Sequence, residues 1–295
     1  MLGREFRLSR YAVYLLVIPG GIFLALFFLA PLSYIFIVSF YEYVGLKPGY
    51  IGGMKPGFVL DNYIQFFSEP VFLNYLWITI RIALICMALT LLIAYPVAYL
   101  IARARIGRWV LALVMVSFLI HPLVRVYAWE IVLSEFGPVN TILSMLNLPK
   151  INLIGTEPAI VLGLLHFLIP YAVLTLIGPI RRVDPSIEEA AMSLGASPLT
   201  TFFKVTLPLT SPGLVAAALL TYSLGVTAFV TPLILGAGKI VVLTMLIFDR
   251  FTETVNYPFG AAMVVILLII GLVAVVLIDY LFKVIYRRRP VWTAG

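Results

Sequence analysis

Charged residues are scarce in this chain, because Asp, Glu, Lys and Arg together make up only 11% of its 295 residues. Soluble globular domains carry roughly 25% charged residues, so the composition excludes a domain of that class. Cysteine is scarcer still: Cys86 is the only one, and it lies within an apolar run. A single thiol excludes a disulfide framework and a thiolate metal site. No group of His, Cys and carboxylates has the spacing of a metal site, and nothing resembles a catalytic triad. We therefore predict neither a catalytic residue nor a metal site, and no enzyme.

The sequence instead contains long apolar runs, and 63% of its residues are hydrophobic. A run of more than ~18 apolar residues predicts a membrane-spanning helix. The runs here predict an all-α membrane protein with six transmembrane helices, forming a single transmembrane domain over residues 1–295. We expect the spans at about 11–40, 72–102, 109–133, 157–180, 211–235 and 258–286.

The connectors between these spans divide the basic residues unequally. One set comprises Arg4, Arg7, Arg10, Arg103, Arg105, Arg108, Arg181, Arg182, Lys204, Lys283, Arg287, Arg288 and Arg289, and the opposite set comprises Lys47, Lys55, Lys150, Lys239 and Arg250. By the positive-inside rule the first set is cytosolic. Both termini and the segment 181–210 are therefore predicted on the cytosolic side. The run 11–40 follows arginines, as in a secretory signal, but it is too long for a signal core and lacks a small-residue cleavage site. We predict an uncleaved first span.

A polar island interrupts the apolar runs at residues 184–195. Asp184 can cap a helix whose first position is Pro185, and acidic residues in the first turn suit the positive end of the helix dipole. Gly195 ends this helix, and Ser197 followed by Pro198 begins another. The pattern predicts a short cytosolic helix-turn-helix. Small side chains at Ala190 and Ala191 would let another protein approach its backbone closely.

The same segment resembles the EAA loop of the permease subunits of ATP-binding-cassette (ABC) importers of type I. Glu189-Ala190-Ala191, then Gly195, then Val205-x-Leu207-Pro208 match its residues and spacing, with Val where Ile is more usual. In that family the loop docks into a groove on the cytosolic ATPase and transmits its motion to the pore. The resemblance implies that the ATPase-coupling residues are Asp184, Glu188, Glu189, Ala190, Ala191, Gly195, Leu207 and Pro208.

Further subunits are implied by the same resemblance, because the chain has no GxxxxGK[ST] phosphate-binding loop with which to bind ATP. They are two ABC ATPases that bind ATP and Mg, a second permease chain that is more often paralogous than identical, and an extracytoplasmic solute-binding protein. The membrane implied is the bacterial inner membrane. No cofactor of this chain itself and no nucleic-acid partner are expected.

The fifth span has a two-sided pattern. Small residues recur every four positions at Gly213, Ala217, Thr221 and Gly225, and such faces let helices pack closely in lipid. Hydroxyls recur at the same spacing on roughly the opposite side, at Ser223, Thr227 and Thr231. These hydroxyls either line a polar translocation pathway or bond back to a carbonyl one turn earlier. Pro232 is expected to bend or end this helix near the outer face.

The third span carries polar residues near its outer end, at Arg125, Tyr127, Trp129 and Glu130. A charge at the membrane centre costs ~2.5–3.5 kcal/mol on insertion scales, so such residues normally face a partner or a cavity. One hypothesis is a structural ion pair of Arg125 and Glu130, with Arg81 as a third member. The alternative is contact with the solute, and the aromatic residues would otherwise belong to the interfacial belt. In the neighbouring spans, His166 is expected to be a hydrogen-bonded core residue and Asp279 to pair with Lys283.

Over roughly residues 11–286 the chain is similar to the spermidine/putrescine-type branch of these permeases. The similarity rests on residues 60–63, 95–99, 123–129, 137–140 and 229–232 with Gly236. That branch also includes importers of opines, amino-acid derivatives, phosphonates and iron complexes. Members that handle polyamines often carry an acidic residue where residues 225–228 of this chain have none, which leaves Glu130 as the acidic residue in the expected wall of the pathway.

Two other function classes fit a six-span protein. A secondary transporter driven by an ion gradient predicts inverted repeats and ionisable residues near the midplane of broken helices, and the sequence shows no clear repeat and few such charges. A membrane assembly subunit that transports nothing would tolerate loss of the hydroxyls of the fifth span.

Overall fold

The computed structural model describes residues 18–287, so Arg4, Arg7, Arg10, Arg288 and Arg289, all predicted to be cytosolic, lie outside the described residues. The helices and strands follow in chain order. They are α1 (Ile18–Val38, with a π-helical stretch at Ala25–Leu29), β1 (Glu42–Tyr43), β2 (Met54–Lys55), α2 (Asp61–Ser68), α3 (Pro70–Arg103), α4 (Gly107–Leu119), α5 (Pro122–Leu133), α6 (Pro138–Met145), α7 (Glu157–Arg182), α8 (Pro185–Ser193), α9 (Pro198–Thr201), a π-turn (Phe202–Thr206), α10 (Leu207–Leu209), α11 (Ser211–Val226), α12 (Val230–Leu235), α13 (Leu243–Thr252) and α14 (Tyr257–Arg287).

Among the described residues, four helices are long and apolar enough to cross a membrane by themselves. They are Ile18–Val38, Pro70–Arg103, Glu157–Arg182 and Tyr257–Val284. Two bent pairs of helices also pass this test, so the chain has up to six spans if each pair counts as one. The architecture is therefore all-α within a membrane, as the apolar runs predict.

The span predicted at 109–133 is not one helix. Its axis turns by 97° between Gly107–Leu119 and Pro122–Met145. Pro122 has no N–H to donate, and its ring clashes with the carbonyl four residues earlier. His121, the residue before it, has φ −56° and ψ 136°, the extended conformation that a following proline favours. Pro122 and the extended residue before it therefore contribute to the break.

The span predicted at 211–235 is interrupted as well. Helix α11 ends at Val226 and α12 begins at Val230, so the break precedes Pro232 and is not centred on it. The ring of Pro232 occupies the place of a hydrogen bond to the carbonyl four residues earlier, which belongs to Ala228. That carbonyl accepts instead from Thr244 Oγ1 at 2.8 Å.

The chain divides into two compact units. The first contains the residues up to Glu69 together with Ile247–Ile266. In it, β1 and β2 form an antiparallel pair in which Glu42 lies opposite Lys55. Phe66 and Phe259 are among its fully buried side chains.

The second unit contains Pro70–Leu246 and the residues from Leu267 onward. Helices α3, α7 and α11 form its core, which is rich in alanine, including Ala94, Ala172 and Ala217. The small-residue face predicted for the fifth span lies inside this core, and all four of its residues are buried. A Cβ added at Gly213 would lie 2.4 Å from Cγ of Pro179, so α7 and α11 touch at the glycine.

Candidate functional site

The coupling loop, residues 184–208, is a helix-turn-helix whose turns are built from local contacts. Asp184 Oδ1 accepts a hydrogen bond from the Ser186 amide at 2.9 Å and so caps α8. This bond stabilises the carboxylate and lowers the pKa of Asp184 below its ordinary range. Gly195 has φ +90°, a conformation that a residue with a Cβ rarely adopts. Ser197 Oγ then accepts from the Thr200 amide at 3.2 Å and caps α9.

The outer surface of this loop combines an acidic residue with exposed apolar side chains. Glu189, Ala190 and Gly195 are exposed, and Ala191 is half-buried. Leu194, Leu199 and Phe203 expose 90%, 72% and 57% of their surface. Several large apolar side chains on a polar loop are typical of a protein contact surface.

Glu188 points away from that surface and is only 7% exposed. Its carboxylate accepts hydrogen bonds from Tyr99 Oη at 2.9 Å and Thr206 Oγ1 at 3.0 Å. It also lies 3.2 Å from Nη2 of Arg103. We call these four residues the Glu188 cluster. It joins α8 to the end of α3 and to the π-turn.

The remaining two predicted coupling residues pack inward. Pro208 is buried, and Leu207 lies against the core formed by α3, α7 and α11. Nearby, Tyr95 Oη and Thr210 Oγ1 lie 2.6 Å apart. These contacts hold the end of the coupling loop against the transmembrane helices.

The expected ion pair of Arg125, Glu130 and Arg81 is wrong. Arg81 pairs with Glu157 instead. The guanidinium of Arg125 donates to the backbone carbonyls of Ser117, Ile120 and His166. Two of these carbonyls lie at the break between α4 and α5, where the helix cannot supply their usual amide donors. Arg125 is thus a side-chain cap for a broken span.

His166 is the hydrogen-bonded core residue that the sequence predicts. Its Nδ1 accepts from Trp129 Nε1 at 3.0 Å, and its Nε2 lies 3.1 Å from Ser117 Oγ. Trp129 therefore braces α5 against α7. Tyr127 is 53% exposed. Glu130 is half-buried and has no hydrogen-bond or ion-pair partner among residues 18–287.

The three hydroxyls of the fifth span do not form one continuous face. Ser223 donates to the carbonyl of Leu219 at 2.8 Å, and Thr227 donates to that of Ser223 at 2.8 Å, so both bond back one turn. Both residues are exposed, whereas Thr231 is 7% exposed beyond the helix break. A Cβ at Gly163 would lie 2.8 Å from Cγ2 of Thr231.

A cavity of about 210 Å³ lies at this break. Thr227, Thr231, Phe167 and Phe229 are among the residues that line it. Pro122, from the break in the third span, also lines it. The two broken spans therefore meet at one cavity, which is mostly apolar with a few polar groups.

Sequence reasoning missed Tyr99, Arg103, Thr206 and Thr244, as well as the pairing of Arg81 with Glu157. Each acts on a residue far away in the chain, so no local pattern identifies it. The single available signal was the Tyr-Pro-x-x-Tyr motif at residues 95–99. It contains Tyr95 and Tyr99, both of which contact the coupling loop or the start of α11.

Comparison with known families and proteins finds one matching family model over residues 45–289. It is described as "Binding-protein-dependent transport system inner membrane component". The spermidine/putrescine transport system permease protein PotB of Escherichia coli strain K12 is 32% identical over 221 residues, which cover 74% of this chain and 80% of that protein. The PotB protein of Haemophilus influenzae is also 32% identical, over 69% of this chain and 72% of the relative.

A solved structure has the same fold. It is a chain of a bacterial ABC transporter involved in the import of the acidic polysaccharide alginate, with a TM-score of 0.71 over 92% of this chain and 95% of that one. The sequences are 17% identical, so this similarity concerns the fold alone.

Proposed function

Because the chain belongs to the family of binding-protein-dependent transport system inner membrane components and is a multi-pass permease subunit of an ABC importer, we propose that it forms half of a pore that imports a polyamine. The observation that supports a polyamine substrate is the 32% identity to two spermidine/putrescine permeases over about 70% of the chain. The other subunits are a second permease, two ATPases that bind ATP and Mg, and an extracytoplasmic solute-binding protein.

The coupling loop is the proposed docking surface for one ATPase. Exposed Leu194, Leu199 and Phe203 would enter its groove, and Glu189 would meet basic residues there. ATP binding closes the ATPases and moves the loop, which turns the spans from inward-facing to outward-facing, and hydrolysis resets them. This orientation requires the loop and both termini to be cytosolic.

A polyamine carries several positive charges and a flexible apolar chain. Glu130 supports this substrate because it is a half-buried carboxylate that no described residue neutralises. The cavity between the broken spans is mostly apolar and would accommodate the methylene chain of a polyamine. The second permease would supply the remaining acceptor groups.

The experiment is uptake of radiolabelled spermidine and putrescine into proteoliposomes that contain the complete assembly and its binding protein. ATP-dependent uptake that excess unlabelled polyamine abolishes is the expected result. The control competitors are an opine, an amino-acid derivative and a phosphonate at the same excess. Competition by one of these, with none by spermidine, would assign the chain to another substrate class within the branch.

The orientation is tested separately by labelling intact cells with a membrane-impermeant thiol reagent. Cysteine placed at Glu189 in a chain with Cys86→Ala should stay unlabelled until the cells are opened, whereas cysteine placed at Leu46 should be labelled at once. The reverse pattern would contradict the docking of a cytosolic ATPase on this loop.

A further inference from the structure

The Glu188 cluster contains a largely buried ion pair at the coupling loop, between Glu188 and Arg103. Glu188 exposes 9% of its side chain and Arg103 exposes 16%. A buried carboxylate is stable only when it is paired and hydrogen-bonded. Glu188 meets this condition with partners from two other elements, Tyr99 and Arg103 at the end of α3 and Thr206 in the π-turn.

Arg103 makes a second contact that enlarges this link. Its Nη2 also donates to the carbonyl of Val183 at 2.8 Å. Val183 connects α7 to the cap of α8. One guanidinium therefore holds the segment before the coupling helix and the carboxylate within it.

We propose that the Glu188 cluster locks α8 to the cytosolic end of α3, so that the coupling helix and this transmembrane helix move as one body. The proposal rests on the proposed function, because it assumes that an ATPase displaces the coupling loop. Glu188 is then a positioning residue for transport, and the neighbouring Glu189 on the exposed side of α8 makes the contact with the ATPase.

We expect α8 and α3 to move as a single rigid body because several contacts from different elements hold the Glu188 carboxylate. A lone exposed ion pair contributes little and can open easily. Here the carboxylate is held from two elements in a nearly dry site, where hydrogen bonds to a charged group are strong. Separating α8 from α3 would break the Glu188–Arg103 ion pair and the Tyr99 hydrogen bond together.

The test measures the distance between α8 and α3 through the transport cycle. Spin labels are placed at Ser193 and Leu100, both exposed, in the full assembly carrying Cys86→Ala. The label-to-label distance is recorded without nucleotide and with a non-hydrolysable ATP analogue and Mg. With the native cluster we expect one narrow distance that does not change with nucleotide.

Glu188→Ala should lose this narrow distance and give a broad distribution that shifts when the analogue binds. Glu189→Gln is the matched control, because it removes an acidic residue from the same helix outside the cluster, and its distance should stay narrow.

Two results would overturn the proposal. One is a native distance that changes with the analogue, and the other is a Glu188→Ala distance that stays narrow and constant. Where Glu188→Ala prevents assembly, the pair Tyr99→Phe with Thr206→Val removes two partners without leaving a bare charge, and the same outcomes decide. Failure of the docking assignment is recognised independently, because the ATPase would then co-purify with Glu189→Arg as well as with the native chain.

Discussion

The charged side chain of Arg125 hydrogen-bonds to backbone carbonyls and does not form an ion pair. Glu130 follows five residues later in the same helix, but residues five apart do not face each other on a helix. The guanidinium instead satisfies three carbonyls around the break at Pro122. Five donors in a fixed fork suit this task, and no other side chain offers them.

Replacing Arg125 with Met should therefore destabilise the protein by at least about 2 kcal/mol, because each buried carbonyl left unpaired costs about 1–3 kcal/mol. The measurement is the thermal unfolding midpoint of the purified protein in detergent. Glu130→Gln is the control and should leave that midpoint unchanged, since Glu130 makes no ion pair among the described residues. An equal loss in both variants would support the ion pair after all.

Gly195 acts through its backbone, and its φ of +90° is strained for any residue with a Cβ. No atom lies within 4 Å of an added Cβ, so the chain itself leaves this side of the turn open. Gly195→Asp should leave the protein in the membrane but uncouple ATP hydrolysis from uptake. The uptake per ATP hydrolysed is the quantity to measure.

Gly238→Ala provides the matched control for Gly195. Gly238 also has a positive φ, +71°, and open space around it, but it lies outside the coupling loop. Both variants carry backbone strain of about 1–2 kcal/mol, and only the change in the loop should uncouple transport. Normal coupling in Gly195→Asp would remove the glycine from the docking surface.

At the level of elements, the long helices were predictable, but of the two interruptions the sequence indicated only the one near Pro232. Apolar runs locate α3, α7 and α14 to within a few residues. Proline alone does not locate a break, because α3 runs through Pro96 and α7 through Pro170 and Pro179 without interruption. Thr244 takes up the Ala228 carbonyl that Pro232 releases at a break, and Arg125 takes up the His166 carbonyl that Pro170 releases within the continuous helix α7. Capture of the released carbonyl therefore does not by itself decide whether a helix breaks. Such partners cannot be read from a local pattern.

The same distinction applies to the candidate site. The caps at Asp184 and Ser197 and the turn at Gly195 follow from neighbouring residues, so the sequence predicts them. The inward direction of Glu188 depends on Tyr99 and Arg103, more than eighty residues earlier. The sequence therefore identifies the coupling loop but cannot separate the acidic residue that faces outward from the one that is locked inside.

The small-residue face of α11 allows close packing of α11 against α7, and a larger side chain there can test it. Gly213→Val should force α11 away from α7, because an added Cβ would lie 2.5 Å or less from the ring of Pro179. Overpacking of this kind costs about 1–3 kcal/mol. The expected result is a lower unfolding midpoint and less assembled complex. Gly271→Val in α14 meets open space and should change neither quantity. Equal behaviour of the two variants would contradict close packing at Gly213.

At the scale of the whole molecule, docking of the ATPase and passage of the solute are proposed at different places. The coupling loop exposes large apolar side chains where the ATPase is proposed to dock, whereas the cavity of about 210 Å³ lies where the two broken spans meet. A residue that lines the cavity should therefore affect uptake without affecting assembly. Thr227 is suited to this test because it lines the cavity and its hydroxyl is already bonded within its own helix.

Thr227→Leu should lower uptake severalfold while the ATPase still co-purifies, because the longer side chain fills part of the cavity. Thr227→Val keeps the shape and loses only the hydroxyl, so its uptake separates a steric effect from a polar one. Since the hydroxyl donates to the Ser223 carbonyl at 2.8 Å and is not free to donate to a solute, the Val variant should retain most of its uptake. A Val variant as impaired as the Leu variant would show that the hydroxyl itself is needed. Loss of the ATPase from the Leu variant would contradict the separation of passage from docking.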